Sequence, residues 1–170
     1  IDKITFFMEE CKRMTIKVLG PDINESLNGF SVNKNGEIRF GLGGLKGVGE
    51  AAIETIITER NKSGHFKDMV DFIKRVLSRS VNKKSLESLA YSGTFDCFPE
   101  YHRAQFFHVA DGDRTNGLEK LINYAQALQN VNAGTTNTLF GDLPSAMQVP
   151  VPKITVCEEW TLTEKLDHEK

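Results

Sequence analysis

The sequence has 170 residues, a formal net charge of −2 and 39% hydrophobic residues. These values suit one or two small domains with an ordinary core and exclude a disordered chain. No apolar run approaches the roughly 18–20 residues of a membrane-spanning helix, and no signal peptide is visible, so we expect a cytoplasmic protein. The three cysteines, Cys11, Cys97 and Cys157, are far apart and lack a C-x-x-C pair, which argues against a disulfide framework or a zinc site.

Basic charge is concentrated in the middle of the chain. Residues 34–84 carry eleven Lys or Arg and six Asp or Glu, a local +5, whereas residues 100–170 carry six and ten, a local −4. A basic segment of this kind is typical of a nucleic-acid-binding surface. The chain begins at Ile1 and stops at Lys170 inside a charged helical pattern, so we expect a fragment of a larger protein.

The first 40 residues predict a helix, a short strand and a β-hairpin. Apolar residues recur at helical spacing over Asp2–Arg13, at Ile4, Phe7, Met8 and Cys11. A strand is expected around Ile16–Leu19, and Phe30–Val32 and Ile38–Phe40 alternate apolar and polar residues around Asn35-Gly36, a pair suited to a tight turn. Because an isolated hairpin is marginally stable, it must pack on the helices that follow.

The next feature is a glycine turn, Gly47-Val48-Gly49, which lies between Lys46 and a helix predicted to begin at Glu50 and end near Gly64. Glycine permits unusual dihedral angles and close approach of a ligand. The start of a helix adds unpaired N–H groups and a partial positive charge. This pattern predicts a helix-hairpin-helix that binds the phosphates of DNA without reading its sequence.

Helix, short turn and helix occur twice. The stripe Met69, Phe72, Ile73, Val76 and Leu77 predicts a second helix, and Lys83–Ser92 predicts a third after a basic turn in which Ser80 or Asn82 is a candidate cap. The predicted fold is therefore mainly α, a tandem helix-hairpin-helix bundle with its turns on one side, a small N-terminal β-hairpin and an extended C-terminal linker. The predicted DNA-binding residues lie in the two turns: Lys46, Gly47, Val48, Gly49, Glu50, Ala51, Arg79, Ser80, Val81, Asn82, Lys83 and Lys84.

Other interpretations of these motifs are weaker. Residues 47–52 also fit the dinucleotide-binding pattern G-x-G-x-x-A, but the segment after Asp68 has helical periodicity where that fold needs a strand. A purely structural role for the glycines stays open. Asp111-Gly112-Asp113 resembles a metal-binding carboxylate pair, although its polar surroundings favour a turn. The sequence shows no metal spacing among its histidines and no catalytic signature.

The C-terminal part predicts helices over Tyr101–Ala110 and Leu118–Leu128, followed by a Pro- and Thr/Asn-rich linker. Within that linker Leu139-Phe140 are adjacent large apolar residues with no predicted core around them. The predicted domain organisation is residues 1–41 with the N-terminal helix and β-hairpin, 42–130 with the tandem helix-hairpin-helix and following helices, and 131–170 as a linker.

Several stretches of the sequence resemble the C family of bacterial replicative DNA polymerases, the alpha subunits of DNA polymerase III. They read EECKRMTIKVLGPDINES (residues 9–26), IRFGLGGLKGVGEAAIETIITER (38–60), VNKKSLESLAYSGTFD (81–96) and EEWTLTEKLDHEK (158–170). The resemblance implies a segment from the end of the fingers domain, through the tandem helix-hairpin-helix, to just before an oligonucleotide-binding domain. It places the magnesium-binding palm carboxylates of this DNA-directed polymerase (a nucleotidyltransferase) upstream, so no cofactor and no catalytic residue are expected in this chain.

The same resemblance implies a sliding-clamp-binding peptide with the pattern Gln-x-x-Leu/Met-Phe between the hairpins and the oligonucleotide-binding domain. The aligned residues are Thr136, Leu139 and Phe140, with Thr136 in place of the glutamine. Two apolar anchors can supply a small binding hot spot. The expected partners are the duplex DNA backbone, the sliding clamp and other domains of the same polymerase, with no membrane. The alternative is a protein-interaction scaffold whose hairpins bind no DNA.

Overall fold

The computed structural model describes residues 2–135 and 149–169. Helices dominate this part of the chain. The α-helices are α1 (Asp2–Arg13), α2 (Glu50–Ser63), α3 (Met69–Val76), α4 (Lys83–Tyr91), α5 (Arg103–Phe107), α6 (Gly117–Thr135) and α7 (Leu162–His168). The strands are β1 (Val18–Leu19), β2 (Ser31–Val32) and β3 (Ile38–Arg39). No helix among the described residues is long and apolar enough to cross a membrane.

The three strands form one small sheet in the order β1-β3-β2. The predicted hairpin is confirmed, because β2 and β3 pair antiparallel and Gly36 adopts a positive φ of 77° in the turn between them. The parallel pairing of β1 with β3 was not predicted. The N-terminal helix is also confirmed, but its apolar side is open, since Phe6 and Phe7 are 61% and 63% exposed.

A 3-10 helix, Leu42–Gly44, lies between the β-hairpin and the glycine turn, where the sequence predicted no element. Leu42 is fully buried, and its amide donates to the carbonyl oxygen of Leu27 at 2.8 Å. The amide of Gly43 donates to the carbonyl oxygen of Asn28, also at 2.8 Å. These hydrogen bonds to the loop at Leu27 and Asn28 stabilise the short helix. Because the loop is distant along the chain, no local sequence pattern encodes the contacts. The first hairpin is therefore this 3-10 helix, the glycine turn and α2.

The core forms where α2, α3, α4 and α6 meet. The predicted stripe of α3 is confirmed, since Met69, Phe72, Ile73 and Val76 are all buried. The ring of Phe72 lies 5.0 Å from Phe66 and 5.1 Å from Phe95, measured between centroids. Because residues 69–76 are helical, the dinucleotide-fold interpretation, which needs a strand there, is wrong.

The buried Arg60 ties α2 to the loop after β1. Its guanidinium donates to the carbonyl oxygens of Ile23 at 2.8 Å and Ser26 at 2.9 Å. Burial lowers the pKa of Arg60 and is opposed by the charge of Asp22. The side chain thus satisfies two buried carbonyls that the loop itself leaves unpaired.

Two predicted boundaries differ from the structure. The helix expected over Tyr101–Ala110 is only Arg103–Phe107, because His108 turns to extended backbone and both His108 and Val109 are exposed, so further helix would bury nothing. Helix α6 runs to Thr135, past the expected start of the linker at residue 131. The predicted turn at Asp111-Gly112-Asp113 is confirmed, and Asp113 pairs with Lys120 at 2.5 Å.

The described C-terminal segment, residues 149–169, packs against the helices. Ile154 is buried, and the indole of Trp160 stacks on Phe107 with 5.5 Å between centroids. Arg103 pairs with Glu169 at 2.5 Å. Apolar and ionic contacts therefore hold these residues against the helices, in particular α5.

Candidate nucleic-acid interface

The first turn exposes the start of α2. Gly47 adopts a positive φ of 92°, and the side chain of Val48 points into the core. Gly49 is the N-cap residue and provides no side-chain cap. Within the described residues, the amides of Gly49, Glu50 and Ala51 donate to no protein acceptor. Three donors at a helix start are therefore available to an anion.

The second turn is capped by its own side chains. Asn82, not Ser80, is the N-cap of α4: its side chain accepts from the Ser85 amide at 3.3 Å, and the Ser85 hydroxyl accepts from the Asn82 amide at 2.9 Å. Val81 is buried, and its amide donates to the Ser78 hydroxyl at 3.2 Å. At the start of α4 the Asn82 amide is engaged, and the amides of Lys83 and Lys84 have no acceptor within the described residues. This helix start therefore offers two free donors where the start of α2 offers three.

The two hairpins are related by a repeat of 33 residues, counted from Gly47 to Ser80. Aligned in this way, GVGEAAIETI (residues 47–56) lies over SVNKKSLESL (80–89), and both helices begin at the fourth position. The contacts between the two hairpins follow the same 33-residue repeat. Ser80 touches Thr55 through hydroxyls 3.2 Å apart, and Gly47 lies against Ser88, the equivalent of Thr55.

This reciprocal contact sets the distance between the turns. Each turn packs against the second helix of the other hairpin, at a residue five positions after that helix begins. Five residues of α-helix correspond to about 8 Å of rise. Both helix starts therefore lie on one side of the bundle, within reach of a single extended ligand.

A comparison with protein families supports the helix-hairpin-helix arrangement of these turns. The family model described as a helix-hairpin-helix motif matches residues 15–106. The chain belongs to the helix-hairpin-helix family.

The chain is also similar to one segment of DNA polymerase III subunit alpha from several bacteria. It is 36% identical to that of Vibrio cholerae and 35% identical to that of Escherichia coli K12, in each case over 99% of this chain and 14% of the relative. The relative from Haemophilus influenzae is 43% identical over 68% of the chain and 10% of its own length. The chain thus spans about one seventh of the length of the first two relatives.

Exposed cations flank both turns of the helix-hairpin-helix domain. Lys46 and Arg79 occupy equivalent positions of the 33-residue repeat, and Lys84 follows the second turn. All three are exposed and form no ion pair within the described residues. Glu50, at the first position of α2, is the one predicted site residue with a negative charge.

Lys83 does not contribute free charge as the sequence predicted. Its ammonium lies 2.6 Å from a carboxylate oxygen of Glu119 in α6 and 3.8 Å from Glu87. The hydrogen bond with Glu119 raises the pKa of Lys83. The correction arises because Glu119 is 36 residues away in sequence and reaches Lys83 only through the packing of α6 beside α4.

Other basic residues of the middle segment also lie outside the interface. Lys62 lies in the last turn of α2, and Lys67 follows the end of that helix. Lys62 is about 18 Å of helix rise from Glu50. Arg75 pairs with Glu59 at 3.0 Å. The local excess of +5 therefore overstates the charge that faces a ligand at the turns.

The remaining predictions concern the clamp-binding residues and a possible metal site. Thr136, Leu139 and Phe140 lie outside the described residues. Over residues 2–135 and 149–169, no three His, Cys, Asp or Glu side chains are grouped so that they could hold a metal ion. Sequence reasoning missed the partner contacts of Thr55 and Ser88, although the 33-residue repeat that relates them is readable in the sequence.

Proposed function

We propose that this helix-hairpin-helix domain holds duplex DNA by its phosphate backbone, without reading base sequence, as one segment of a DNA polymerase III alpha subunit. The observation that carries the proposal is the pairing of two helix starts on one side of the bundle, each flanked by an exposed cation, Lys46 or Arg79. The similarity to replicative polymerase subunits supports a role in DNA binding during replication.

The chemistry of the turns suits phosphate. Free amides of Gly49, Glu50 and Ala51 converge at a helix start, where the backbone dipoles favour an anion. The apolar residues Val48 and Val81 point inward, so the turns present backbone and cations to a duplex. Contacts of this type position a protein on DNA and carry no sequence information.

The expected strength follows from the exposed cations. Lys46, Arg79 and Lys84 can neutralise three phosphates, and each contributes a slope of about −0.9 to the dependence of log affinity on log salt. Three such contacts predict a loss of affinity of about 40-fold between 50 mM and 200 mM salt. The first turn should contribute the larger share, because its amides are uncapped.

The test is a salt titration of the whole chain on a fluorescent duplex. Lys46→Ala and Arg79→Ala should each weaken binding and make the log–log slope shallower by about 0.9. Lys62→Ala is the matched control, because it removes the same charge from the far end of α2. If Lys62→Ala weakened binding as much as Lys46→Ala, general charge and not the turns would account for the affinity.

We further propose that residues 136–140 bind a sliding clamp through Leu139 and Phe140, as the resemblance to C-family polymerases implies. The substitution to test is Phe140→Ala in a pull-down with purified clamp, with Leu128→Ala as a control on the preceding helix. Loss of clamp capture with Phe140→Ala alone supports tethering. Equal capture by both variants contradicts it.

The scaffold alternative gives the opposite combination of results. A chain that only recruits the clamp would retain capture through Phe140 and show no affinity for duplex at any salt concentration. Running the duplex titration and the pull-down on one protein preparation therefore separates the two functions.

A further inference from the structure

Glu119 of α6 forms an ion pair with Lys83 of the second hairpin. One of its carboxylate oxygens lies 2.6 Å from the Lys83 ammonium, and the other accepts from the Asn116 amide at 3.0 Å. Lys83 is the first residue of α4, next to the free amides of that helix start. The Glu119 carboxylate therefore occupies the Lys83 ammonium, which under the proposed function would bind a DNA phosphate.

Within the described part of the chain, no carboxylate pairs with Lys46 at the first turn. By the 33-residue repeat, Lys83 is equivalent to Glu50, which pairs with no described residue, and Asn82 is equivalent to the uncapped Gly49. One turn is therefore open to an anion, while the other has both its cap and its first cation engaged. The asymmetry arises from α6, which contacts α4 and brings Glu119 to one hairpin only.

We propose that Glu119 is an internal competitor for the DNA phosphate at the second hairpin, so that full engagement of duplex requires Lys83 to exchange this carboxylate for a phosphate. The inference rests on the proposed function. The Lys83 and Glu119 side chains are 52% and 27% exposed, so the pair can open without unfolding. Exposed ion pairs are weak, and a phosphate of the duplex can replace the carboxylate.

The substitution Glu119→Gln isolates the charge. Glu119 also forms a capping box with Asn116, whose side chain accepts from the Glu119 amide at 2.9 Å. Glutamine serves at this capping-box position, so the start of α6 is kept while the competing charge is removed. Circular dichroism of the variant should match that of the unmodified chain.

The expected result is tighter binding of Glu119→Gln to a fluorescent duplex and a log–log salt slope steeper by about 0.9, equivalent to one added phosphate contact. Glu158→Gln is the control, since it changes net charge equally and Glu158 forms no ion pair within the described residues. In the double variant Glu119→Gln/Lys83→Ala, net charge returns to −2 and both the gain and the added slope should vanish.

Two results would overturn the competitor role. Equal gains for Glu119→Gln and Glu158→Gln would assign the effect to net charge, and a gain retained in the double variant would show that Lys83 is not the group released. Lys46→Ala, measured in the same series, separates this inference from the proposed function. If binding depends on Lys46 but not on Glu119, only the competitor role fails, whereas absence of binding by every variant overturns both.

Discussion

Serine at Gly47 should destabilise the protein, whereas serine at Gly49 should leave its stability unchanged or raise it slightly. Gly47 has a φ of 92°, which L-residues adopt at a cost of about 1–2 kcal/mol. A Cβ there would also lie 2.5 Å from the Ser88 hydroxyl. Gly49 has a φ of −74° with open space around it, and a serine N-cap is more favourable than glycine by a few tenths of a kcal/mol.

Thermal unfolding followed by circular dichroism at 222 nm measures both changes. For a chain of this size each kcal/mol shifts the midpoint by about 2–4 °C, so the positive φ alone should make Gly47→Ser lower it by roughly 2–8 °C. The contact with Ser88 adds to that loss. Gly49→Ser should leave the midpoint unchanged or raise it slightly.

A second substitution separates the two causes at Gly47. Ser88→Ala removes the hydroxyl that the new side chain would meet, so Gly47→Ser/Ser88→Ala should recover part of the loss and leave the cost of the positive φ. Equal destabilisation by Gly47→Ser and Gly49→Ser would refute this explanation, because it would mean that backbone conformation and local space do not distinguish the two glycines.

Two further predictions concern the scaffold. Arg60→Met should lower the free energy of unfolding by about 2 kcal/mol or more, measured by urea denaturation, because the buried carbonyls of Ile23 and Ser26 lose their donor. The hydrogen bond from Arg75 lowers the pKa of Glu59 below its usual 4.5, so the stability from this pair is complete above that value and is lost as the pH falls through the lower pKa of the folded state. Glu59→Gln should therefore lose stability at neutral pH and show a flatter decline on acidification, and an unchanged decline would contradict the assignment.

Local patterns predicted most of the helices and the hairpin. The stripe of α3 and the turn at Asn35-Gly36 are encoded by residues a few positions apart, and both are found in the structure. The 3-10 helix at Leu42 was missed because its closure depends on backbone contacts with Leu27 and Asn28. A local sequence pattern cannot predict hydrogen-bond partners that are distant along the chain.

Both predicted turns are present before helix starts, but their free charge is smaller than the sequence indicated. The glycine turn and the basic second turn lie where the sequence placed them, on one side of the bundle. The pairing of Lys83 with Glu119 and the return of Trp160 onto Phe107 depend on how distant helices pack. Charge counted along a segment therefore measured total basicity and not the part that faces a ligand.

The most direct test of backbone holding is the affinity of the 170-residue chain for two duplexes of unrelated sequence over a range of salt concentrations. Equal affinities for the two duplexes, with log–log slopes of about −2 to −3, are expected from three exposed cations at the paired turns. A flat salt dependence, or a strong preference for one sequence, would contradict recognition of DNA through its phosphates.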